Sequence, residues 1–236
     1  MQFTPLASGS AGNAYILEAG GNKLLLEAGI KHRTIKQALG FDFSQIDGCL
    51  ATHEHQDHLK TSTAKELIKQ GVDIYTSQGT AEALGIERSH RVILVKDDFS
   101  KVLDNWIILP VAAIHEAAEP LAFLIKHRVT EEKALFATDT MYIHNRLQGL
   151  NYVFIEANYS REALKQARDE DITTLGKKKY VINNHMALET AEEFFKANDT
   201  SQLKEVWLLH ASDDNSDVRD FKERIKRVTG ARVYIA

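Results

Sequence analysis

The stretch THEHQDHL, residues 52–59, places four side chains that can bind a metal ion close together in the chain. They are His53, His55, Asp57 and His58. The first two lie two residues apart, so in extended backbone they can point the same way. Asp57 and His58 follow on a turn and can bind at a second metal position. The spacing therefore predicts a tight metal-binding loop after a strand.

Five apolar runs along the chain end in a histidine or an aspartate. Buried strands finish at the rim of a sheet, where loops carry functional residues. We therefore expect the ends of these runs to form one site. The runs are IDGCLATH ending in His53, WIILPVAAIH ending in His115, KALFATD ending in Asp139, KYVINNH ending in His185 and KEVWLLH ending in His210.

Imidazole and carboxylate donors without thiolates suit zinc, manganese, iron and similar divalent ions. One tetrahedral zinc ion takes about four ligands, so this larger candidate set indicates two ions. Two ions about 3.5–4 Å apart can share a hydroxide and clamp both the attacking and the leaving oxygen. The expected ligands are His53, His55 and His115 for one ion and Asp57, His58 and His210 for the other, with Asp139 as the bridge. Glu116, in HEAAEP, is an alternative ligand.

The composition of the chain limits the classes of protein to which it can belong. The 236 residues carry a formal net charge of −4, with 44% hydrophobic and 26% charged residues, which is ordinary for a globular protein. The mild acidity argues against dominant non-specific binding to nucleic acid, although one local basic patch is compatible with it. The single cysteine, Cys49, excludes an intrachain disulfide framework and suits a reducing compartment.

Two further features bear on location and organisation. The N-terminal segment lacks a basic region followed by an apolar stretch, which argues against a secretory signal. The most apolar run, WIILPVAAI at 106–114, is too short to cross a bilayer. No Gly/Ser/Pro-rich linker interrupts the chain. We expect a cytoplasmic protein with no membrane segment and a single domain over residues 1–236.

Local patterns predict several elements. AYILEAG (14–20) and KLLLEAG (23–29) flank Gly20-Gly21-Asn22, which indicates a hairpin. Segment 61–71 is typical of a helix, with Thr61 or Ser62 as N-cap and Gly71 as its stop. Helical spacing of apolar residues also predicts helices over 188–198 and 216–230, whereas 171–179 could be a loop or a broken helix.

HEHQDH resembles the HxHxDH signature of the metallo-β-lactamase fold superfamily. His115, Asp139 in ATDT and His210 in LLHAS match the remaining ligand motifs in order. The segments LASGSAGNAYIL, HEAAEP, FIEAN and NNHMA are similar to the YycJ-like (WalJ-like) branch, which is related to tRNase Z and phosphodiesterase-type members. The resemblance implies an α/β fold, the αβ/βα four-layer sandwich, with a two-metal hydrolytic site at one edge.

The same resemblance implies roles for residues outside the ligand set. His185 matches the position of a catalytic histidine in tRNase Z-like enzymes, where it would stabilise developing charge or protonate the leaving group. Glu156, in FIEAN, is the candidate to orient His185 or a metal ligand. Asp57 is expected to serve catalysis as well as metal binding.

The loop SGSAGN, residues 8–13, is the candidate on the substrate side. Small residues expose backbone N–H groups that can cradle a phosphate, and the predicted contacts are Ser8, Ser10 and Asn13. The loop lacks the Lys-Ser/Thr ending of a P-loop, and a tight turn between early strands is the alternative. Three features depart from the similar proteins. Glu27 replaces the usual aspartate of an Asp-Ala-Gly element, Met141 replaces a frequent glycine, and NNHMA replaces the more usual Gly-His before a Leu-Ser pair.

The leading hypothesis is a metal-dependent phosphodiesterase, most specifically a nuclease acting on DNA or RNA, with exonuclease and endonuclease action both left open. The first alternative is a hydrolase of a small phosphodiester, a cyclic nucleotide or a thioester. The second is a non-hydrolytic metal-binding protein. The chain shows no long inserted domain and no extended arm for tRNA, which favours a compact nuclease or a small substrate. The oligomeric state is left open.

Overall fold

The computed structural model of the protein describes residues 1–166, 172–210 and 218–236. The chain divides into two compact units. The first unit comprises Met1–Ala112 and Ala117–Glu132, and the second comprises Ala113–Glu116 and Lys133–Ala236. The single domain expected over the full chain stays a prediction.

The first unit contains nine strands and three helices. Its strands are β1 (Gln2–Ala7), β2 (Ala14–Ala19), β3 (Asn22–Leu26), β4 (Gly48–Leu50), β5 (Ile74–Thr76), β6 (Val92–Leu94), β7 (Lys101–Leu103), β8 (Trp106–Ala112) and β9 (Leu121–His127). Its helices are α1 (His32–Ala38), α2 (Thr61–Lys69) and α3 (Gln78–Ala83).

Strands β1 to β6 form one sheet in chain order, antiparallel from β1 to β3 and parallel from β3 to β6. Strands β7, β8 and β9 pair antiparallel with one another. Parallel strands end at the same edge of a sheet, so the segments that follow β3 and β4 leave from one edge. That edge carries Glu27 and the loop that begins at His53.

The parallel strands of the first unit are apolar and buried. Every residue of β4 and β5 is buried, as expected for strands covered on both faces. Leu67 and Ala64 of α2 pack in the same core as Cys49 of β4. Fully burying a side chain such as Leu67 contributes about 1.5–3 kcal/mol. Burial also raises the pKa of the Cys49 thiol, because the thiolate would lose its hydration.

The predicted hairpin is confirmed. β2 and β3 pair antiparallel, with Ala19 opposite Asn22. Gly20 and Gly21 occupy the turn with φ of 55° and 86°, a left-handed backbone that glycine adopts without steric cost. β3 ends at Leu26, before the EAG segment.

The helix predicted over 61–71 is also confirmed, but its start differs from the prediction. The N-cap is Lys60, without a side-chain cap bond, so Thr61 and Ser62 lie inside α2. The side chain of Thr61 instead accepts a hydrogen bond from Gln56. Gly71 ends the helix as predicted, with a φ of 85°.

The second unit contains a parallel sheet, and its described residues also form helices. Its strands are β10 (Lys133–Ala137), β11 (Tyr152–Glu156), β12 (Glu205–Leu209) and β13 (Arg232–Ile235). Its helices are α4 (Arg161–Gln166), α5 (Ile172–Asn184), α6 (Leu188–Ala197) and α7 (Val218–Thr229). β10, β11, β12 and β13 pair in this order, all parallel. Asp139, Glu156 and His210 therefore lie at one edge of this sheet.

The prediction that KYVINNH is a strand is wrong. Residues 179–184 of this segment lie in α5, and the backbone N–H of His185, directly after the helix, donates to the carbonyl of Val181. Tyr180 and Ile182 are exposed, so the run does not have the two-sided burial of a central strand. A short apolar run does not distinguish helix from strand by periodicity. The broken helix or loop predicted over 171–179 is helical from Ile172, and Asp171 lies outside the described residues.

The two C-terminal helix predictions agree with the structure. α6 lies within the segment predicted at 188–198, and α7 lies within the segment predicted at 216–230. Residues 216 and 217 lie outside the described part of the chain. Among the described residues, no helix is long and apolar enough to cross a membrane.

One arginine joins α6 to α7. Arg224 donates from Nε to Oε1 of Glu192 at 2.8 Å and from Nη2 to Oε2 at 2.9 Å. Glu189 and Asp220 lie 3.6 and 3.7 Å from Nη1. The bidentate pair lowers the pKa of Glu192 and raises the pKa of Arg224. This partly buried ion pair is the strongest polar link described between the two helices.

Replacing Arg224 with lysine tests this link. Lysine keeps the charge but cannot form the two parallel hydrogen bonds, so we expect the free energy of unfolding at pH 7 to fall by about 1 kcal/mol. Since the pKa of Glu192 is lowered in the folded state, its stabilisation is present above the unfolded carboxyl pKa. It is lost as pH falls through the folded value, so the difference between the proteins should shrink below about pH 4.5.

Urea unfolding at several pH values measures both effects. The matched control is Arg232→Lys, because Arg232 is more exposed and makes one contact, at 3.0 Å, with Glu205. An Arg224→Lys protein as stable as the wild type at pH 7 would show that the two parallel hydrogen bonds contribute nothing beyond the charge.

Candidate metal centre

The loop that follows β4 brings three imidazole rings together within the first unit. Nε2 of His53 lies 3.0 Å from Nδ1 of His55, and the rings of His53 and His58 have centroids 4.2 Å apart. Oδ2 of Asp57 lies 3.5 Å from Nε2 of His58. The backbone N–H groups of His58 and Leu59 both donate to the carbonyl of His55, which closes the turn. The predicted loop thus exists, and its four candidate ligands are neighbours.

Glu27 supports this loop from the end of β3. Its side chain is fully buried, and its carboxylate accepts from the backbone N–H of Thr52 at 3.3 and 3.4 Å. Oε1 lies 3.8 Å from Nδ1 of His58. Burial raises the pKa of the Glu27 carboxyl, while the nearby imidazole of His58 and the hydrogen bond from Thr52 act in the opposite direction. The glutamate that replaces the more usual aspartate therefore contacts the metal loop directly.

Gly29 allows the backbone to approach this loop closely. A Cβ atom at this position would lie 1.7 Å from the carbonyl oxygen of Asp57. The neighbouring N–H of Ala28 donates to the carbonyl of His58 at 2.7 Å. A larger residue at position 29 would displace the segment that carries Asp57 and His58.

The turn SGSAGN places Asn13 against the metal loop. The backbone N–H of Asn13 donates to the carbonyl of Asp57 at 2.7 Å, and its Nδ2 lies 3.2 Å from Nε2 of His58. Tyr15 donates to Oδ1 of Asn13 and also lies at 2.9 Å from Oγ of Ser8. Asn13 is buried, Ser8 is half-buried and Ser10 is exposed. The segment forms a turn between β1 and β2, and its substrate contacts stay a prediction.

The second unit carries the remaining candidate ligands at strand ends. Nε2 of His115 lies 3.8 Å from Oδ2 of Asp139, and Nδ1 of His115 lies 2.9 Å from the carbonyl of Asn184. Asn158 contacts both Nδ1 and the carbonyl of His210, at 3.1 and 2.9 Å. Glu116, the alternative ligand, is exposed, and its N–H donates to Oδ1 of Asn184.

Glu156 links several segments of this unit. Its Oε1 lies 2.6 Å from Nδ1 of His185, and its Oε2 accepts from the N–H groups of Thr140 and Met186 at 3.3 and 3.2 Å. His210 also approaches, with Nδ1 at 3.8 Å from Oε1. Glu156 is fully buried at the end of β11. The structure thus brings together His185, the predicted proton donor, and Glu156, the residue predicted to orient it.

His185 lies among the candidate ligands of its unit. Its Nδ1 is 4.0 Å from Oδ1 of Asp139, and its ring stacks on His210 with centroids 5.2 Å apart. Donor atoms of Asp139, Glu156, His185 and His210 all lie within 4.8 Å of one another, and all four residues are buried. Although α5 replaces the predicted strand, it ends at this cluster.

Three site residues adopt a left-handed backbone that is uncommon outside glycine. The φ angles are 61° for Glu27, 46° for Asp139 and 53° for His210. Such a conformation costs about 1–3 kcal/mol per residue and is concentrated at functional sites. In each case the residue follows the end of a strand and turns its side chain toward the cluster of its own unit.

Several polar residues of the site have no role predicted from the sequence. Asn158 and Asn184 hold His210 and His115, and the backbone of Thr140 binds Glu156. The available signal was their position, because each lies within a few residues of a strand end or of a predicted site histidine. Proximity to a strand end or to a histidine does not distinguish an amide that holds a site residue from an amide on the surface.

The donor chemistry fits a divalent metal ion. Each unit supplies imidazole nitrogens and carboxylate oxygens at neighbouring positions, and the single thiol, Cys49, is buried within β4. Nitrogen and oxygen donors of this kind suit zinc, manganese and iron. The His/Asp clusters are therefore suited to hold a divalent metal ion.

Comparison with known proteins adds family evidence. Residues 22–211 match the family described as the beta-lactamase superfamily domain. The chain is 29% identical over 235 residues to exodeoxyribonuclease YycJ of Bacillus anthracis, covering 92% of this chain and 84% of that protein. It is 26% identical over 234 residues to exodeoxyribonuclease WalJ of Streptococcus pneumoniae, covering 91% and 83% respectively.

A solved structure gives the fold. The metallo-beta-lactamase fold protein YhfI from Bacillus subtilis matches with a TM-score of 0.73 and 18% identity, over 99% of this chain and 95% of that one. The predicted α/β metallo-β-lactamase fold is thereby confirmed, and the curated relatives confirm the predicted likeness to the YycJ-like (WalJ-like) branch.

Replacing Glu27 with glutamine tests its support of the metal loop. Glutamine keeps the shape but removes the negative charge and presents an amide N–H toward His58. We expect the affinity for zinc to fall about 10–100-fold, the usual effect of losing a group that orients a ligand. Titration of zinc against a competing chelator measures the change. Glu18→Gln, at a half-buried glutamate of β2, is the control, and equal affinity in both variants would contradict the role.

Proposed function

Because the chain belongs to the β-lactamase superfamily, we propose that it is a metal-dependent phosphodiesterase that degrades nucleic acid, with DNA as its substrate and exonuclease action. The observation that carries the proposal is the buried Glu156–His185 pair inside a cluster of candidate metal ligands. That arrangement offers a proton donor of fixed orientation, His185, beside a candidate metal site. The names of the curated relatives, both exodeoxyribonucleases, support the choice of DNA.

The proposed centre would hold two divalent ions, of zinc, manganese or iron. His53, His55 and His115 would hold one ion, Asp57, His58 and His210 would hold the other, and Asp139 would contact both. Bound ions of this kind lower the pKa of water and stabilise negative charge on substrate oxygens. The local geometry within each unit supports the assignment, because neighbouring donors already face one another there.

The residues of the chain supply the remaining chemistry. Nδ1 of His185 faces Glu156, so the proton there is held by the carboxylate and the ring is fixed in orientation. The opposite nitrogen, Nε2, is the atom from which we expect a proton to pass to the leaving oxygen. Glu156 is itself fixed by two backbone N–H donors, which makes it a positioning residue.

Organisation and location complete the proposal. The family match runs from residue 22 to residue 211 and therefore includes parts of both units, which supports a single domain over residues 1–236. The single, buried cysteine suits the reducing environment of the cytoplasm. Ser8, Ser10 and Asn13 are the proposed contacts on the substrate side.

Hydrolysis assays test the proposed chemistry. Bis-p-nitrophenyl phosphate, end-labelled DNA and end-labelled RNA are incubated with the protein, with manganese and zinc added separately. We expect metal-dependent turnover, with products released one nucleotide at a time from labelled DNA. In Asp57→Ala the turnover should fall at least about 100-fold, because a proposed metal ligand is lost.

The control is Asp42→Ala, at an exposed aspartate outside the proposed site. If neither DNA nor RNA is hydrolysed, a thioester and a cyclic nucleotide are assayed in the same way, and turnover of either would replace the nuclease with a small-molecule hydrolase. Stoichiometric metal binding without turnover of any substrate would favour a metal-binding protein.

The role of His185 has a separate test. A general acid matters most when the leaving oxygen needs a proton, and p-nitrophenolate leaves without one. We expect His185→Ala to lower kcat about 100-fold on DNA but less on bis-p-nitrophenyl phosphate, with unchanged metal content. Glu156→Gln should act in the same direction, and the double variant should be no worse than His185→Ala alone.

His90→Ala, at an exposed histidine of the first unit, is the control. Equal losses on both substrates would mean that His185 does not act as a proton donor. A loss of metal from His185→Ala would instead make it a ligand.

A further inference from the structure

A pocket of the second unit, with a volume of about 330 Å³, borders His185. None of the roles given above uses its other walls. It lies entirely among described residues of this unit, and its lining combines aromatic, aliphatic and basic side chains. The residues that matter here are Ile114, Tyr142, Arg161, Ile182, His185 and Thr190.

One wall is apolar and exposed. Ile114, Tyr142 and Ile182 are 38%, 40% and 45% exposed, so three large apolar side chains meet solvent at one pocket. The ring of Tyr142 is held edge-on by His144, with centroids 4.9 Å apart and an interplanar angle of 71°. A group of exposed apolar side chains is typical of a binding surface. An aromatic face of fixed orientation suits the stacking of a nucleobase.

The other wall carries an arginine held in place. Nη2 of Arg161 donates to Oγ1 of Thr190 at 3.0 Å, and its backbone N–H donates to Oε2 of Glu189 at 3.1 Å. Nη1 lies 3.8 Å from Oε1 of Glu193, in an ion pair whose two side chains are both more than half exposed. Such a pair is weak in water, so a phosphate can displace the carboxylate. The planar guanidinium suits bidentate contact with phosphate.

From these two walls we propose that the pocket binds one terminal nucleotide of the substrate, with its base against Tyr142 and its phosphate on Arg161. Small-ligand sites have volumes of about 300–1,000 Å³, so a pocket of this size is large enough for one nucleotide. The inference rests on the proposed function, because His185 at the pocket rim is the proton donor for the oxygen of that nucleotide.

Calorimetric titration of the metal-loaded protein with deoxyadenosine monophosphate tests the pocket directly. We expect binding to weaken about tenfold in Tyr142→Ala and at least tenfold in Arg161→Ala, and to be retained in Tyr142→Phe. Deoxyribose 5-phosphate lacks the base, so its binding should respond to Arg161→Ala but not to Tyr142→Ala.

A further variant separates the proposal from simple misfolding. Glu193→Gln removes the carboxylate that competes with phosphate, so it should bind deoxyadenosine monophosphate several-fold more tightly than the wild type. Arg232→Ala, at an exposed arginine paired with Glu205, is the matched control and should bind like the wild type. Unchanged affinity in the Tyr142, Arg161 and Glu193 variants would show that the nucleotide binds elsewhere and would overturn the proposal.

Failure of the proposed function gives a different result. If the wild type does not hydrolyse DNA but its nucleotide binding depends on Tyr142 and Arg161, the pocket is a nucleotide site and the nuclease assignment is wrong. If DNA is hydrolysed while binding and KM are the same in all variants, the nuclease assignment stands and the pocket proposal is wrong.

Discussion

The carboxylate of Glu156 is the constraint on which the candidate site of the second unit depends. A buried carboxylate needs hydrogen-bond donors around both oxygens, because water does not reach it. Here the donors come from the segment after β10, from the end of α5 and from His185. Hydrogen bonding to this one carboxylate therefore fixes the positions of three separate parts of the chain. The ring of His185 obtains its orientation from this arrangement and not from the regular backbone pattern of a strand.

Glu27 solves a related problem in the first unit. It too is a fully buried glutamate at the end of a strand, and it too accepts from a backbone N–H and faces a histidine. Its left-handed φ turns the side chain toward the metal loop, at a cost that the contacts to Thr52 and His58 offset. In both units, a buried acid therefore orients an imidazole that the sequence marks for chemistry.

The sequence predicted what local spacing encodes. The HxHxDH loop and the hairpin at Gly20-Gly21 were predicted because a few adjacent residues determine each of them. The strand prediction for KYVINNH was wrong because a short apolar run fits a helix equally well, and only packing decides between them. The contact of Asn13 with His58 joins residues 45 positions apart. The left-handed φ of Asp139 is not indicated by a glycine in the sequence. Both depend on tertiary structure.

The bonds to Glu156 also bear on which sequence changes the protein can accumulate. At Thr140 and Met186 the donor is the main-chain N–H, which every amino acid except proline possesses. Genetic drift at those two positions can therefore change the side chain and preserve the bonds, within the space that packing allows. At position 156 a change removes the acceptor for all three donors together. Among homologues, sequence variation around this carboxylate should accordingly be uneven, with proline excluded from its donors and glutamate retained at its centre.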